Sequence, residues 1–324
     1  MKSVLALLLA SVAMAASSNA MAAPNVVVSI KPIHSLVAAI MQGVGEPQLI
    51  VDGGASPHTF SLKPSNAKAI EGADIVFWVG HGLEAFLEKP LESLASKAEV
   101  VELDETPGLE KLTFREGGPF EAHDHGDGHE AGHDHEKEGH DHAHADEGHD
   151  HDHGEYDMHL WLDPLNAKAM AAEIEKTLLA ADPANAAVYQ ENARKLMANL
   201  DTLNTEITTT VAPIKDKPFI VFHDAYQYFE HRYGVKTAGS ITVSPETMPG
   251  AERIKQIHAK VTELGATCVF AEPQFEPKLV RVVTEGTKAK SGTLDPEAAT
   301  LEAGPDLYFQ LMRGIATSLK DCLS

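Results

Sequence analysis

Residues 182–213, DPANAAVYQENARKLMANLDTLNTEITTTVAP, decide the architecture. Asp182-Pro183 reads as an N-cap followed by proline at the first helical position. Tyr189, Ala193, Leu196, Leu200, Leu203, Ile207 and Val211 then recur at spacings of four and three, forming one face of a helix that stops at Pro213. About 28 residues at 1.5 Å each span about 42 Å, longer than a small domain is wide. A helix of that length is predicted to run as a rigid strut joining two lobes.

The flanks of the strut support two lobes of one kind. Upstream, strands are predicted over 26–30, 49–51, 75–79 and 99–103, with helices over 34–42 and 64–71 between them. Downstream, strands over 219–222, 235–241, 267–271 and 290–294 alternate with helices over 225–233, 251–264 and 278–286, and a last helix covers 307–319. A further helix over 167–179 precedes the strut. Alternation of this kind gives an α/β fold with mostly parallel sheets flanked by helices. Residues 69–79 and 261–271 share the same order of helix end, Gly-Ala and apolar strand, which makes the lobes similar. The expected organisation is an N-terminal lobe over 23–181, the linking helix over 182–212 and a C-terminal lobe over 213–324. Ligands of such sheets sit beyond the carboxyl ends of the strands, here in the cleft between the lobes.

Residues 1–22 read as a cleavable secretory signal: Lys2, an apolar run over 4–16, and small residues at Ala20 and Ala22 before the cleavage point. No later segment reaches the roughly 20 apolar residues of a spanning helix, so a periplasmic protein that is not membrane-embedded is expected. The net charge of −22, with 48 Asp and Glu against 26 Lys and Arg, excludes a nucleic-acid binder. The two cysteines, Cys268 and Cys322, predict one disulfide in an oxidising compartment. The competing reading, a pair of metal thiolates, lacks a CxxC spacing. A monomer is expected.

Residues 121–156 break the α/β pattern. His123, His125, His129, His133, His135, His140, His142, His144, His149, His151 and His153 alternate there with acidic residues and scattered glycine. Apolar residues other than alanine are absent between 123 and 153, so nothing offsets the entropy of ordering, and a disordered insertion is predicted. As a tract it is either a multi-site auxiliary zinc binder, scavenging metal or signalling repletion, or a solvated charged segment with incidental affinity.

Three further histidines stand out by position, and at least His58 and His223 lie on loops where a cleft would form. His58 follows a strand end in Gly53-Gly54-Ala55-Ser56-Pro57-His58, His223 follows the apolar run over 219–222, and His159 lies in Met158-His159-Leu160-Trp161. Three imidazoles make a borderline-soft nitrogen site that suits Zn²⁺, whereas a carboxylate-rich site favours Mn²⁺. Asp295, in Leu294-Asp295-Pro296, is either a fourth ligand, an acceptor that fixes an imidazole, or a turn or helix cap before Pro296. Glu272, in Ala271-Glu272-Pro273, is expected to support a ligand or a hinge without binding metal directly. His34, His81, His231 and His258 are read as structural.

Five motifs in order carry a resemblance: Ser56-Pro57-His58-Thr59-Phe60-Ser61-Leu62-Lys63-Pro64-Ser65, His159-Leu160-Trp161-Leu162-Asp163-Pro164, Phe222-His223-Asp224-Ala225-Tyr226, Phe270-Ala271-Glu272-Pro273-Gln274-Phe275 and Gly292-Thr293-Leu294-Asp295-Pro296. Together, over essentially the whole mature chain, they resemble the metal-binding solute receptors of ABC importers, on the periplasmic zinc side of that family. The resemblance implies two α/β lobes joined by one long helix, Zn²⁺ held by His58, His159 and His223, and a membrane permease as partner. Manganese-type relatives carry a carboxylate where His223 stands. Some zinc members carry glutamate just before the first ligand, and here that position is Pro57. The fourth position is open to water, Asp295 or a histidine of the insertion.

Three other functions compete. A zinc hydrolase would use a three-histidine site with an open position to activate water, but there is no HExxH motif and no evident general base beside a ligand. A stand-alone metal buffer would need only the insertion. A manganese or iron receptor would share the fold and differ in metal preference.

Overall fold

The computed structural model describes residues 23–115, 120, 156–242, 245, 248–265 and 267–324. The predicted signal at 1–22 and the eleven histidines between 123 and 153 lie outside the described residues.

The N-terminal half opens with strand β1 (Val26–Val28), helix α1 (Lys31–Met41) and strand β2 (Gln48–Leu49). Helix α2 (Pro64–Glu71), β3 (Ile75–Trp78), α3 (Glu88–Leu94) and β4 (Glu99–Glu102) follow. All pairings are parallel, in the order β2-β1-β3-β4. The inner strands, VVV and IVFW, are buried throughout. That fits sheets covered on both faces, which require continuous apolar runs. Helix α1 starts three residues before its predicted beginning because Pro32 is tolerated in a first turn. Helix α3 has only seven residues, too few to display a helical period in the sequence.

Helix α4 (Pro164–Ala181) leads to the strut, α5 (Ala186–Val211), which is flanked by short 3₁₀ turns at Pro183–Asn185 and Ala212–Ile214. The seven residues that predicted its apolar face are all buried, and α5 packs on α1, α4 and the closing helix α9 (Leu307–Leu323). Each large aliphatic side chain on that face contributes roughly 1.5–3 kcal/mol by burial. Asp182 differs from its predicted capping role. Its carboxylate accepts from the Tyr189 hydroxyl (2.9 Å) and the Asn185 amide (2.7 Å) instead of from a backbone N–H of the helix start.

The C-terminal half repeats the plan with β5 (Phe219–His223), α6 (Gln227–Tyr233), β6 (Thr237–Thr242), α7 (Ala251–Leu264), β7 (Cys268–Ala271), α8 (Lys278–Thr284) and β8 (Lys290–Thr293). Its parallel order is β6-β5-β7-β8, the same as in the first sheet. Helices α2 and α7 each feed the third strand of their sheet, which explains the segment similarity seen in the sequence. Alternation along β5 divides its side chains. Phe219 and Val221 join the large core shared with α5 and α9, while Ile220 and Phe222 join a second core with Ile257, Val261 and Val283. Cys268, at the start of β7, is bonded to Cys322 near the end of α9. Among the described residues no helix is long and apolar enough to cross a membrane.

Candidate metal centre

The two sheets bring three distant histidines together at their carboxyl ends. His58 sits in a 3₁₀ turn, Pro57–Thr59, just past β2, and its backbone N–H donates to the Ser56 hydroxyl at 3.3 Å. His159 precedes a turn, Leu160–Leu162, whose three apolar side chains are fully buried. The next residue, Asp163, caps α4 by accepting from the Leu165 N–H at 2.8 Å, and Arg232 of α6 holds the same carboxylate at 2.6 and 2.7 Å. His223 is the last residue of β5, paired with Thr242 of β6. The strand therefore includes the residue that the sequence placed just beyond it.

The Nε2 atom of His159 lies 3.4 Å from Nε2 of His58 and 3.3 Å from Nε2 of His223. One ligand atom from each of the three residues falls within 4.8 Å of the others. A tetrahedral zinc ion with Zn–N bonds of about 2.0–2.1 Å separates its nitrogens by about 3.3–3.4 Å. The two measured spacings are thus those of a tetrahedron's edges. Among the described residues this is the single such group of histidine, cysteine or carboxylate ligand atoms.

Two buried carboxylates set the rings. Asp157 Oδ1 accepts from Nδ1 of His159 at 2.7 Å and from its backbone N–H at 3.0 Å. Both oxygens of Glu272 lie on Nδ1 of His223, at 2.7 and 2.8 Å. Asp157 and Glu272 are 2% and 3% exposed, so neither hydrogen bond is diluted by solvent. With both rings neutral and a proton on each Nδ1, the Nε2 lone pairs of His159 and His223 face each other. Two such lone pairs repel unless a cation lies between them, and a carboxylate behind the ring makes each a stronger donor. Burial, then the nearby His159 and His223, pushes the His58 value well below the ordinary imidazole range. Burial also acts against a charge on His223, but the charge and hydrogen bond of Glu272 outweigh it and raise the His223 value.

A fourth group is Glu297, 6% exposed, whose Oε1 lies 3.9 Å from Nε2 of His58. Burial and the surrounding Glu272, Asp295 and Glu84 raise its carboxyl well above the usual range. The sequence offered Asp295 for this position, and the structure gives Asp295 other work. Its Oδ1 accepts from the N–H groups of Glu297 and Ala299 at 3.3 and 3.0 Å and from the Gln274 amide at 3.3 Å. Its Oδ2 accepts from the N–H and hydroxyl of Thr300 at 3.2 and 3.3 Å. These are the contacts of a turn cap, one of the alternatives the sequence left open, and the turn presents Glu297. Sequence reasoning missed both Asp157 and Glu297. The signals were an acid two residues before His159 and an acid immediately after a turn-capping Asp-Pro.

The other described histidines stand apart. Nε2 of His34 lies 3.0 Å from the Pro47 carbonyl, His81 is between Glu88 and Glu102, His231 faces Glu110, and His258 reaches the Glu285 carbonyl. The segments that enter and leave the insertion, in contrast, adjoin the site. Thr113 bridges to Tyr156, the Tyr228 hydroxyl donates to the Asp157 carbonyl at 2.6 Å, and Arg115 binds both Asp224, beside His223, and Glu230.

A family model described as zinc-uptake complex component A, periplasmic (ZnuA), matches residues 26–322. A curated relative from Brucella suis, named high-affinity zinc uptake system protein ZnuA, is 60% identical over 333 residues, covering 100% of both chains. A relative of the same name from Yersinia pestis is 38% identical, covering 98% of this chain and 96% of its own. Among solved structures, the periplasmic zinc binding protein TroA from Treponema pallidum superposes with a TM-score of 0.75 over 93% of this chain and 99% of that one. Its identity of 19% makes that likeness one of fold. With a family match over nearly the whole chain and full-length relatives at high identity, the chain belongs to the periplasmic zinc-uptake component A family, whose members are solute receptors of ABC importers and not enzymes.

Proposed function

We propose that the chain is a high-affinity periplasmic receptor that captures Zn²⁺ between its lobes and delivers it to the membrane permease of an ABC importer. Nε2 of His58, His159 and His223 are the nitrogen ligands, and Glu297 is the fourth donor. Residues 23–181 and 213–324 are the lobes, and 182–212 the link. One observation carries the proposal: three lone-pair nitrogens spaced 3.3–3.4 Å along the two measured edges. Three imidazoles and one carboxylate form a borderline-soft set that favours zinc over manganese. Glu297 Oε1 lies 3.9 Å from Nε2 of His58, about 0.5 Å beyond a tetrahedral edge, and stands outside the group formed by the three imidazoles, so it closes on the ion as the metal binds.

Capture and release involve no bond chemistry. Asp157 and Glu272 keep two rings aimed before the ion arrives, so little ordering remains to be done on binding. Helix α5, packed along its whole length, restricts hinge motion and leaves small lobe adjustments to distinguish loaded from empty protein. The histidine tract over 121–156 acts as an auxiliary, weaker zinc binder at the cleft, supported by the attachment of its two ends around Asp157 and Asp224.

Diffraction from zinc-loaded crystals at the zinc absorption edge tests the centre. The expected result is one full-occupancy anomalous peak bonded to the three Nε2 atoms and a Glu297 oxygen. A peak at other residues would overturn the assignment. For the tract, deletion of 121–156 should leave one tight zinc equivalent and remove the weaker ones.

A further inference from the structure

Lys31 is the first residue of α1 and is 5% exposed, which is unusual for a lysine. Its Nζ donates to the carbonyls of Ala298 (3.2 Å), Ala299 (3.1 Å) and Leu301 (2.8 Å). An ammonium group has three donors, and all three are used here on one short loop some 270 residues away in the chain. Burying such a group is unfavourable unless each donor is partnered. The arrangement is therefore specific.

The loop it grips is the one that carries Glu297. Ala298, fully buried, has φ +57° and is the single described residue other than glycine with positive φ. A side chain disfavours that conformation, which persists only where the surroundings over-determine it. The surroundings here are identifiable. Asp295 collects the N–H groups of 297, 299 and 300 from one side, Trp161 Nε1 donates to the Pro296 carbonyl at 2.9 Å, and Lys31 takes the carbonyls from the other side. Asp295 belongs to the loop itself and shapes it. Lys31 and Trp161 belong to the N-terminal half and fix the loop against it. His58 is also in the N-terminal half. The grip of Lys31 thus sets the distance between Glu297 and His58.

We infer that Lys31 is a positioning residue for the metal centre: by holding the carbonyls of residues 298–301 it keeps Ala298 in its left-handed turn and Glu297 against His58, and so determines the fourth coordination position. This rests on Glu297 being the fourth donor. With the grip removed, Ala298 relaxes to an ordinary backbone conformation and the preceding carboxylate swings away, while the rings of His159 and His223, held by Asp157 and Glu272, and the backbone of His58, held by Ser56, stay in place.

The test uses the full chain loaded with Co²⁺, whose visible absorption reports coordination number and donor set, together with the zinc dissociation rate. The variants are Lys31→Met, Lys31→Gln, Glu297→Gln and the double variant Lys31→Met with Glu297→Gln. The expected result is that Glu297→Gln alters the Co²⁺ bands and speeds zinc release by about tenfold. Lys31→Met should produce the same band change and a similar rate, and the double variant should be no worse than either single one. If Glu297→Gln leaves the bands unchanged, the donor role of Glu297 fails. If Glu297→Gln changes them but Lys31→Met keeps the parent spectrum and only lowers the melting temperature, Lys31 is a clamp of the fold and the inference fails. Should Lys31→Met not fold, Lys31→Gln, which retains a donor and most of the stem, decides by the same spectral criterion.

Discussion

Glu272 grips His223 with both carboxylate oxygens, at 2.7 and 2.8 Å from Nδ1, and the pair is closed off from solvent. His223 ends β5 and Glu272 directly follows β7, and the two strands are hydrogen-bonded neighbours. The sheet itself therefore aligns the ring. Glu272→Ala should weaken zinc binding by about 10–100-fold while the protein stays folded, and Asp157→Ala should act likewise through His159. Competition against a chromophoric chelator measures both. Affinities equal to that of the parent protein would show that the carboxylates are bystanders.

Protons compete with zinc at the same ring. In zinc-free protein, Glu272 holds the His223 value above that of a free histidine despite burial, whereas His58 lies well below. The proton on His223 must leave when Nε2 takes the metal. Affinity is therefore expected to fall as pH drops, with a proton released from His223 as zinc binds. The raised carboxyl of Glu297 acts in the same direction. Titration calorimetry in two buffers of different ionisation enthalpy reads the release directly, and identical heats in both buffers would contradict it.

Glu84 gives a stability prediction with a definite sign. It is fully buried, and burial raises its carboxyl to about 7 even though Val79 and Gly80 donate their N–H groups to it at 2.9 and 3.0 Å. The folded protein holds this proton more tightly than the unfolded chain. The group's contribution is therefore most favourable below about pH 4.5, declines through the interval up to about 7, and is a constant penalty above. Glu84→Gln keeps an acceptor for both N–H groups without the charge. It should stabilise the protein by on the order of 2–3 kcal/mol at pH 8 and very little at pH 4. Urea unfolding at the two pH values checks this, and an equal effect at both would refute it.

The Cys268–Cys322 bridge closes a loop across a sequence separation of 54. Loop-closure entropy assigns a bridge of that span about 4 kcal/mol. Replacing both cysteines by alanine should lower the melting temperature and leave one tight zinc site, because Cys268 opens β7 whereas Glu272 follows the strand's other end. Loss of zinc binding in a folded variant would count against that separation of roles.

Elements with strong local signals were legible in the sequence. The helix α5 declares itself through seven apolar positions, and α2 and α7 have the bounds their patterns predict. The three histidines stood out because each follows a strand end or opens a buried turn. What was not legible depends on which chain ends become neighbours. Asp157 acts on the residue two places on through a local ring contact that spacing alone does not reveal. Glu297 faces His58 only because Asp295 turns the loop and Lys31 draws it toward α1. A sequence shows the first carboxylate after a strand, here Asp295, and not which way the loop then folds.

The most direct measurement is zinc titration of a variant in which His58, His159 and His223 are all alanine and residues 121–156 are deleted. Tight stoichiometric uptake should be absent, while the same deletion with the three histidines intact should retain one equivalent. A tight equivalent that survives in the triple variant would contradict convergence of these imidazoles on one ion.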